Sequence, residues 1–330
     1  MLHRFATFVA ACTVLLILAG SLVTSHDAGL SVPDWPTSYG WNMFTFPPSM
    51  WVANILYEHG HRLIASGVGC LTIALAVSLW FAERRSWLRW LGVAALGTVV
   101  AQGILGGITV LFFLPAVVST AHAALAEIFF CLTVSIALFT SPAWIRGYPD
   151  RNGAATNACD LRGLATSTTL LVFAQIVLGA TMRHTGAGLA IPDFPLMFGH
   201  LIPDHWSRGI AIHFAHRVGA LLVTLAVAAT VSRVWRRAWA RAEFARPAAL
   251  LVALVATQVT LGALTVLSRR NVWINSFHVV GGALVLTTSL VLTLRTWRTS
   301  FPQGVGSPWQ ELPSLSQKVP GAPDPVRGHA

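Results

Sequence analysis

Charge is what this sequence has least of. Only 10% of its 330 residues are Asp, Glu, Lys or Arg, against roughly 25% in soluble domains. A shortfall of that size excludes an ordinary water-soluble fold. Cysteine is scarce as well, with four in the chain. Cys12, Cys70 and Cys131 fall inside apolar runs and Cys159 lies in a basic loop. No two share an outer loop, so no structural disulfide is expected, and the spacing matches no cysteine metal motif. The polar stretch from 26 to 56 contains no Lys or Arg. A net charge of +10 suggests nucleic acid at first, but the arginines cluster in alternate short loops between apolar runs. That is the distribution of basic residues held on the cytoplasmic side of a membrane, facing anionic lipid headgroups. No nucleic-acid partner is expected.

Apolar residues make up 55% of the chain. They fall into runs of about 20, enough to cross roughly 30 Å of hydrocarbon. Eight spans are expected, at about 5–25, 57–82, 90–113, 117–140, 163–183, 209–232, 247–267 and 273–295. The first follows His3 and Arg4 like a signal peptide, but its length and lack of a small-residue cleavage site favour a retained span. Arg269 and Arg270, in a short outer turn, are the main exceptions to the charge rule, and arginine can snorkel to the interface there. The expected setting is the plasma membrane, multi-pass, with both termini cytoplasmic.

The chain repeats itself. Gly29-Leu30 and Pro33-Asp34-Trp35-Pro36 match Gly188-Leu189 and Pro192-Asp193-Phe194-Pro195 at an offset of 159. His61-Arg62 matches His216-Arg217 at 155. Gln102, Gly106, Thr109-Val110-Leu111 and His122 match Gln258, Gly262, Thr265-Val266-Leu267 and His278 at 156. Four spans per half is an even number, so the halves share one orientation, unlike the inverted repeats of many transporters. The expected fold is therefore all-α and integral to the membrane: eight helices in two pseudo-symmetric four-helix bundles. The divisions are 1–145, a cytoplasmic linker at 146–162, a second half at 163–297 and a disordered tail at 298–330, rich in Pro, Gly and Ser.

Four repeated histidines lie near the outer ends of spans 2, 4, 6 and 8: His61, His122, His216 and His278. Symmetry pairs His61 with His122 and His216 with His278. A lone membrane histidine can simply hydrogen-bond a neighbouring helix. Two repeated pairs at matched depth point instead to function. Paired neutral imidazoles in an apolar bundle suit a haem iron. Zinc usually takes further Cys or carboxylate ligands, whereas copper stays open on spacing alone. Arg62 and Arg217, each next to a histidine, could meet haem propionates or snorkel to lipid phosphate.

Glu58 breaks the symmetry. It stands at i, i+3 from His61, and His213 occupies the matching place. A carboxylate beside an apolar site can handle protons; the plainer account is a helix-start residue favoured by the dipole. The asymmetry suggests that the half with Glu58 does chemistry while the other holds a fixed cofactor. His59, about 200° round the helix from His61, should point away. Gln102 and Gln258 read as interhelical hydrogen-bond glue. Gly103, Gly106, Gly107 and Gly262 read as close-packing positions. The Pro-Asp-Trp-Pro and Pro-Asp-Phe-Pro turns either cap the sites or anchor the chain at the interface.

At these residues the sequence resembles the haem A synthase family of bacteria and mitochondria, over nearly all of 5–295. The marks are Gly29 to Pro36, Glu58 with His61-Arg62, Gln102 to Val110, His122, His216-Arg217 and His278. The resemblance implies that His216 and His278 bind haem B in the second half. It places the substrate haem O near His61 and His122 in the first, with Glu58 needed for activity. The reaction it implies oxidises the C8 methyl of haem O, by successive hydroxylations, to the formyl group of haem A for cytochrome oxidases. Partners would be a haem O synthase as substrate source, an unidentified electron donor and membrane lipid; a homo-oligomer is left open. Some family members carry a cysteine pair in the first outer loop, and this chain has none there. The rival from another class is a di-haem, cytochrome b-like quinol oxidoreductase without haem modification.

Overall fold

The computed structural model describes residues 1–147 and 159–299. Most of the expected linker and nearly all of the expected disordered tail lie outside the described residues. Eight long helices, each long and apolar enough to cross a membrane, account for most of the rest. They are α1 (Leu2–Ser25), α2 (Asn54–Ala82), α3 (Ser86–Leu111), α4 (Ala116–Phe139), α6 (Cys159–His184), α7 (Arg208–Ala238), α8 (Ala242–Leu267) and α9 (Val272–Thr299). A short helix, α5 (Pro142–Arg146), follows α4. It was not expected. Ser141 caps it by accepting from the Trp144 N–H, and Pro142 presets its first turn.

Each expected span is a helix, displaced at its ends by local chemistry. Pro115 stops the turn after α3 and opens α4, and Ser207 caps α7 by accepting from the Ile210 N–H. Among the helix starts the largest difference is at α8, expected from Pro247 and found to start at Ala242. Proline has no N–H to give the carbonyl four residues back. That carbonyl, on Glu243, accepts from Arg295 Nη1 at 2.6 Å. A side chain from α9 thus fills the gap, and the helix runs through its proline.

Helices α1 to α4 form a closed ring in which each touches the next and α4 returns to α1; α6 to α9 do the same. Val9, Leu75, Leu79, Leu88, Phe129 and Ile136 centre the first core, and Val172, Val227, Phe244, Leu251 and Leu286 the second. The rings meet where α1 and α4 lie against α6 and α9, around Ala10, Phe130 and Ala283. Hydroxyls add cross-ties, with Thr168 2.9 Å from Thr230 and Thr169 2.7 Å from Ser289, each contributing about 0.6 kcal/mol in a membrane interior. Phe8, Ile73, Trp90, Leu170 and Leu225 are exposed, as lipid-facing side chains should be. The first apolar run is part of the fold, with Ala6 and Val9 fully buried.

The two long loops, 26–53 and 185–207, lie at one end of the helices, with the short turns at 112–115 and 268–271. Their cores are built alike. Asp34 accepts from the backbone N–H groups of Tyr39 and Gly40; Asp193 accepts from those of Phe198 and Gly199. Each pair is offset by 159. Gly40 and Gly199 have φ of +77° and +81°, which glycine adopts without a steric penalty.

Candidate functional site

All four repeated histidines sit within the first few turns of α2, α4, α7 and α9, at the loop end. Within each half the two histidines stand on opposite helices of the bundle, His61 and His122 on α2 and α4, His216 and His278 on α7 and α9. Every ring rests on a glycine of the preceding helix. A Cβ on Gly20 would lie 2.9 Å from His61 Cε1, and one on Gly106 3.2 Å from His122 Cε1. On Gly179 it would lie 2.8 Å from His216 Cε1, and on Gly262 3.0 Å from His278 Cε1. The last turns of α1, α3, α6 and α8 are therefore notched to admit an imidazole. Sequence inspection picked out Gly106 and Gly262 but missed Gly20 and Gly179, which recur at the loop offset of 159.

A glutamine one turn before the glycine steadies three of the four. Gln102 Nε2 donates to the His122 carbonyl at 2.9 Å, Gln258 Nε2 to that of His278 at 2.8 Å, and Gln175 Nε2 to that of His216 at 2.8 Å. Gln175 Nε2 also lies 3.0 Å from His216 Nδ1. The glue expected of Gln102 and Gln258 is present, and its target is the histidine helix. Gln175 was overlooked, although Gln-x-x-x-Gly recurs at 102, 175 and 258. On α1 the matching residue is Leu16, so His61 has no such support. In the second half Gly219 and Gly281, one turn past each histidine, leave room for the Gln175 and Gln258 amides. Ile64 and Leu125 stand there in the first half.

Glu58 is buried, 3% exposed, and both its oxygens are engaged. Oε2 accepts from the Val32 N–H at 2.8 Å, and Oε1 pairs with Arg62 Nη2 at 2.8 Å. His213, in the matching place, takes the matching bond: its Nδ1 accepts from the Ile191 N–H at 3.2 Å. The shared task of the two residues is thus to hold a loop.

The arginines have protein partners. Arg62 donates to the carbonyls of Val32, Asp34 and Thr37 as well as to Glu58. Arg217 donates to the carbonyls of Ile191, Asp193 and Leu196. The guanidinium groups pin the outer loops to the histidine helices. The acceptors match one for one at an offset of 159. Trp35, from the pinned loop, lies flat on Gly107, where a Cβ would come within 2.5 Å of its ring. Gly106, the next residue back on the same helix, carries the His122 ring. His59 is turned away, as expected, and lies among Phe46, Trp51 and Ser38.

These residues suit a planar iron porphyrin. His61, His122 and His278 each have a buried Nδ1 without a hydrogen-bond partner, as rings waiting for a further contact would. Among the described residues no three His, Cys, Asp or Glu come together to hold a bare metal ion. A haem iron already has four pyrrole nitrogens and needs only the two axial positions a histidine pair can fill.

Fold and site together define a class: a multi-pass membrane protein of two four-helix bundles, each with a histidine pair seated on glycines beneath a pinned loop. The chain belongs to the COX15-CtaA family of cytochrome oxidase assembly proteins, whose model matches residues 3–290. It is 35% identical over 304 residues to a heme A synthase of Symbiobacterium thermophilum, covering 87% of this chain and 94% of the relative. It is 30% identical over 305 residues to one from Halalkalibacterium halodurans (87% and 95%). With a third, from Shouchella clausii, the figures are 27% over 291 residues, 87% and 94%.

Proposed function

We propose that this protein is a haem A synthase, oxidising the C8 methyl of haem O to the formyl group of haem A. The observation that supports it most directly is full-length similarity to relatives of that name, joined to two histidine pairs that differ in how firmly they are held. His216 and His278 would hold haem B in the second half, where glutamine and glycine fix both ligand helices. His61 and His122 would take haem O in the first half, where only His122 has a glutamine. A tightly built site suits a resident cofactor, and a looser one suits a molecule that enters and leaves. When bound, the haems supply the redox chemistry.

The chain's own residues do the rest. The glycine notches set the imidazole planes. Trp35 and the pinned loops keep water from the sites. Glu58, one turn from His61, holds the loop through Val32 and Arg62; a proton could reach its carboxylate only if that pairing loosens. The basic loops at 83–89 and 233–246 support an orientation with the end opposite the long loops in the cytoplasm, both termini on that side and the sites near the outer face of the plasma membrane. Haem O would come from a haem O synthase and electrons from a separate donor. A permanent di-haem carrier would call for equal supports in both halves, and Leu16, Ile64 and Leu125 argue against that.

The test is to express the chain with a supply of haem O and extract the haems. Haem A is expected from wild type, and haem O alone from Glu58→Ala. Unchanged haem O from folded, haem-loaded wild type would sink the proposal.

A further inference from the structure

Glu127 has no part in anything described so far. It lies midway along α4, the helix that touches α1 and α3 in its own half and α6 and α9 in the other. Its exposure is 4%, and its Oε2 is buried without a hydrogen-bond partner. The residues one turn on share its helix face and show where that face points. Phe130 packs with Ala10 and Ala283 on the seam between the halves. Cys131 packs on the second core. The place that matches Glu127 in the second half is held by Ala283, so the repeat does not require an acid here. Apart from Glu58, which Arg62 pairs, it is the one carboxyl deep within a span among the described residues.

Such a group is expensive to keep. An unpaired carboxylate in an apolar interior costs several kcal/mol, and an apolar side chain of similar size would pack there without that penalty. Ionisable residues inside membranes usually mark proton or charge movement. Of the helices packed against α4, α1 carries His3, Arg4 and Cys12, α3 carries Arg89, α6 carries Cys159, Asp160, Arg162, Arg183 and His184, and α9 carries His278, Arg295 and Arg298. None of these groups, nor the Cys131 thiol one turn on along α4, donates a hydrogen bond to Glu127 Oε2. Glu127 can therefore ionise comfortably only while positive charge stands nearby, and His122 is about 7.5 Å up the same helix axis.

We propose that Glu127 is the proton site that balances electron passage between the two halves. The inference rests on the haem reading above. When a one-electron reductant takes the iron from ferric to ferrous, one positive charge is lost from the porphyrin core. The Glu127 carboxylate then takes one proton from water and becomes the acid; reoxidation reverses both steps. One electron and one proton enter together, and the apolar seam carries no added charge.

The haem-loaded protein is titrated at an electrode across a range of pH, as wild type and as E127Q, with reduced-minus-oxidised infrared spectra of each. In wild type the haem potential should fall as pH rises, and reduction should bring up a protonated-carboxyl C=O band that shifts in deuterium oxide. E127Q should lose the band and most of the pH dependence, and E127D should move the band. Equal slopes and an equal band in E127Q overturn the proposal while leaving the haem reading intact. If E127Q does not accumulate, wild type decides alone: no deuterium-sensitive C=O band on reduction overturns it. A folded protein that takes up no haem overturns both.

Discussion

The two halves of this protein repeat one plan and depart from it in a few places. Each has four helices in a ring, two notched by glycine and two bearing histidine, under a loop that an aspartate folds and an arginine pins. Against that background the exceptions stand out. The second half gives each histidine a glutamine and a glycine to receive it; the first gives His61 neither. The first half has Glu58 where the second has His213, and Glu127 where the second has Ala283. The common parts build a place for a planar ligand. The differing parts mark one place as permanent and the other as a place of turnover.

The largest expected effect comes from emptying one half at a time. His278→Ala should remove the resident haem and abolish conversion, whereas His122→Ala should leave the resident haem spectrum in place and still abolish conversion. Absorption spectra of purified protein, set beside extracted haems, separate the two. If both variants lose the same haem, the division of labour between halves is wrong.

The glycine notches give the next effect. Gly179→Ala puts a methyl 2.8 Å from the His216 ring and Gly20→Ala one 2.9 Å from the His61 ring. Overpacking of this kind typically costs about 1–3 kcal/mol. Gly179→Ala should weaken retention of the resident haem, and Gly20→Ala should spare it while slowing conversion. Equal spectra and equal rates in the two would show that the rings do not need their seats.

Gln175 sharpens the comparison further. Removing a residue that orients a metal-ligating histidine typically costs 10–100-fold in affinity. Gln175→Leu copies the Leu16 of the first half and should loosen the resident haem by about tenfold or more, read from haem loss to an apo-globin acceptor. The converse, Leu16→Gln, should slow product release and show as haem A retained on the protein.

The smallest effect concerns the second loop. Asp193 is held below its ordinary value of 3.8 chiefly by the Gly199 N–H; burial works against this, and the Phe198 N–H adds to the lowering. A depressed carboxylate stabilises the folded loop above its ordinary value, and that contribution is lost as pH falls through the lowered one. The protection factor of the Gly199 amide, its exchange relative to the intrinsic rate at each pH, should therefore be flat across neutral pH and fall only in acid below about 3.8. Asp193→Asn should lower it modestly at neutral pH.

Much of this was legible in the sequence, because a membrane leaves a chain few choices. Eight apolar runs could only be helices, and the offset between Asp34 and Asp193 exposed the repeat. The four histidines stood out because polar side chains inside such runs are rare. What could not be read was who bonds to whom. Nothing in the order of residues says that the carbonyls of Val32 and Ile191 bond to Arg62 and Arg217. Gly20 was hidden in an apolar run where glycine attracts no notice. The start of α8 was misplaced because a proline normally ends a helix, and Arg295, far along the chain, replaces the missing donor. Glu127 escaped because, unlike Glu58, it adjoins none of the repeated motifs.

One feature of the pinned loops reaches past the loops themselves. Arg62 follows His61 in the chain, and Arg217 follows His216, so the bolt that fastens each lid is mounted on the same turn of helix as the ring beneath. Neither can be adjusted alone. Whatever raises a lid must also tilt an imidazole, and whatever draws an imidazole into place must tighten the lid above it.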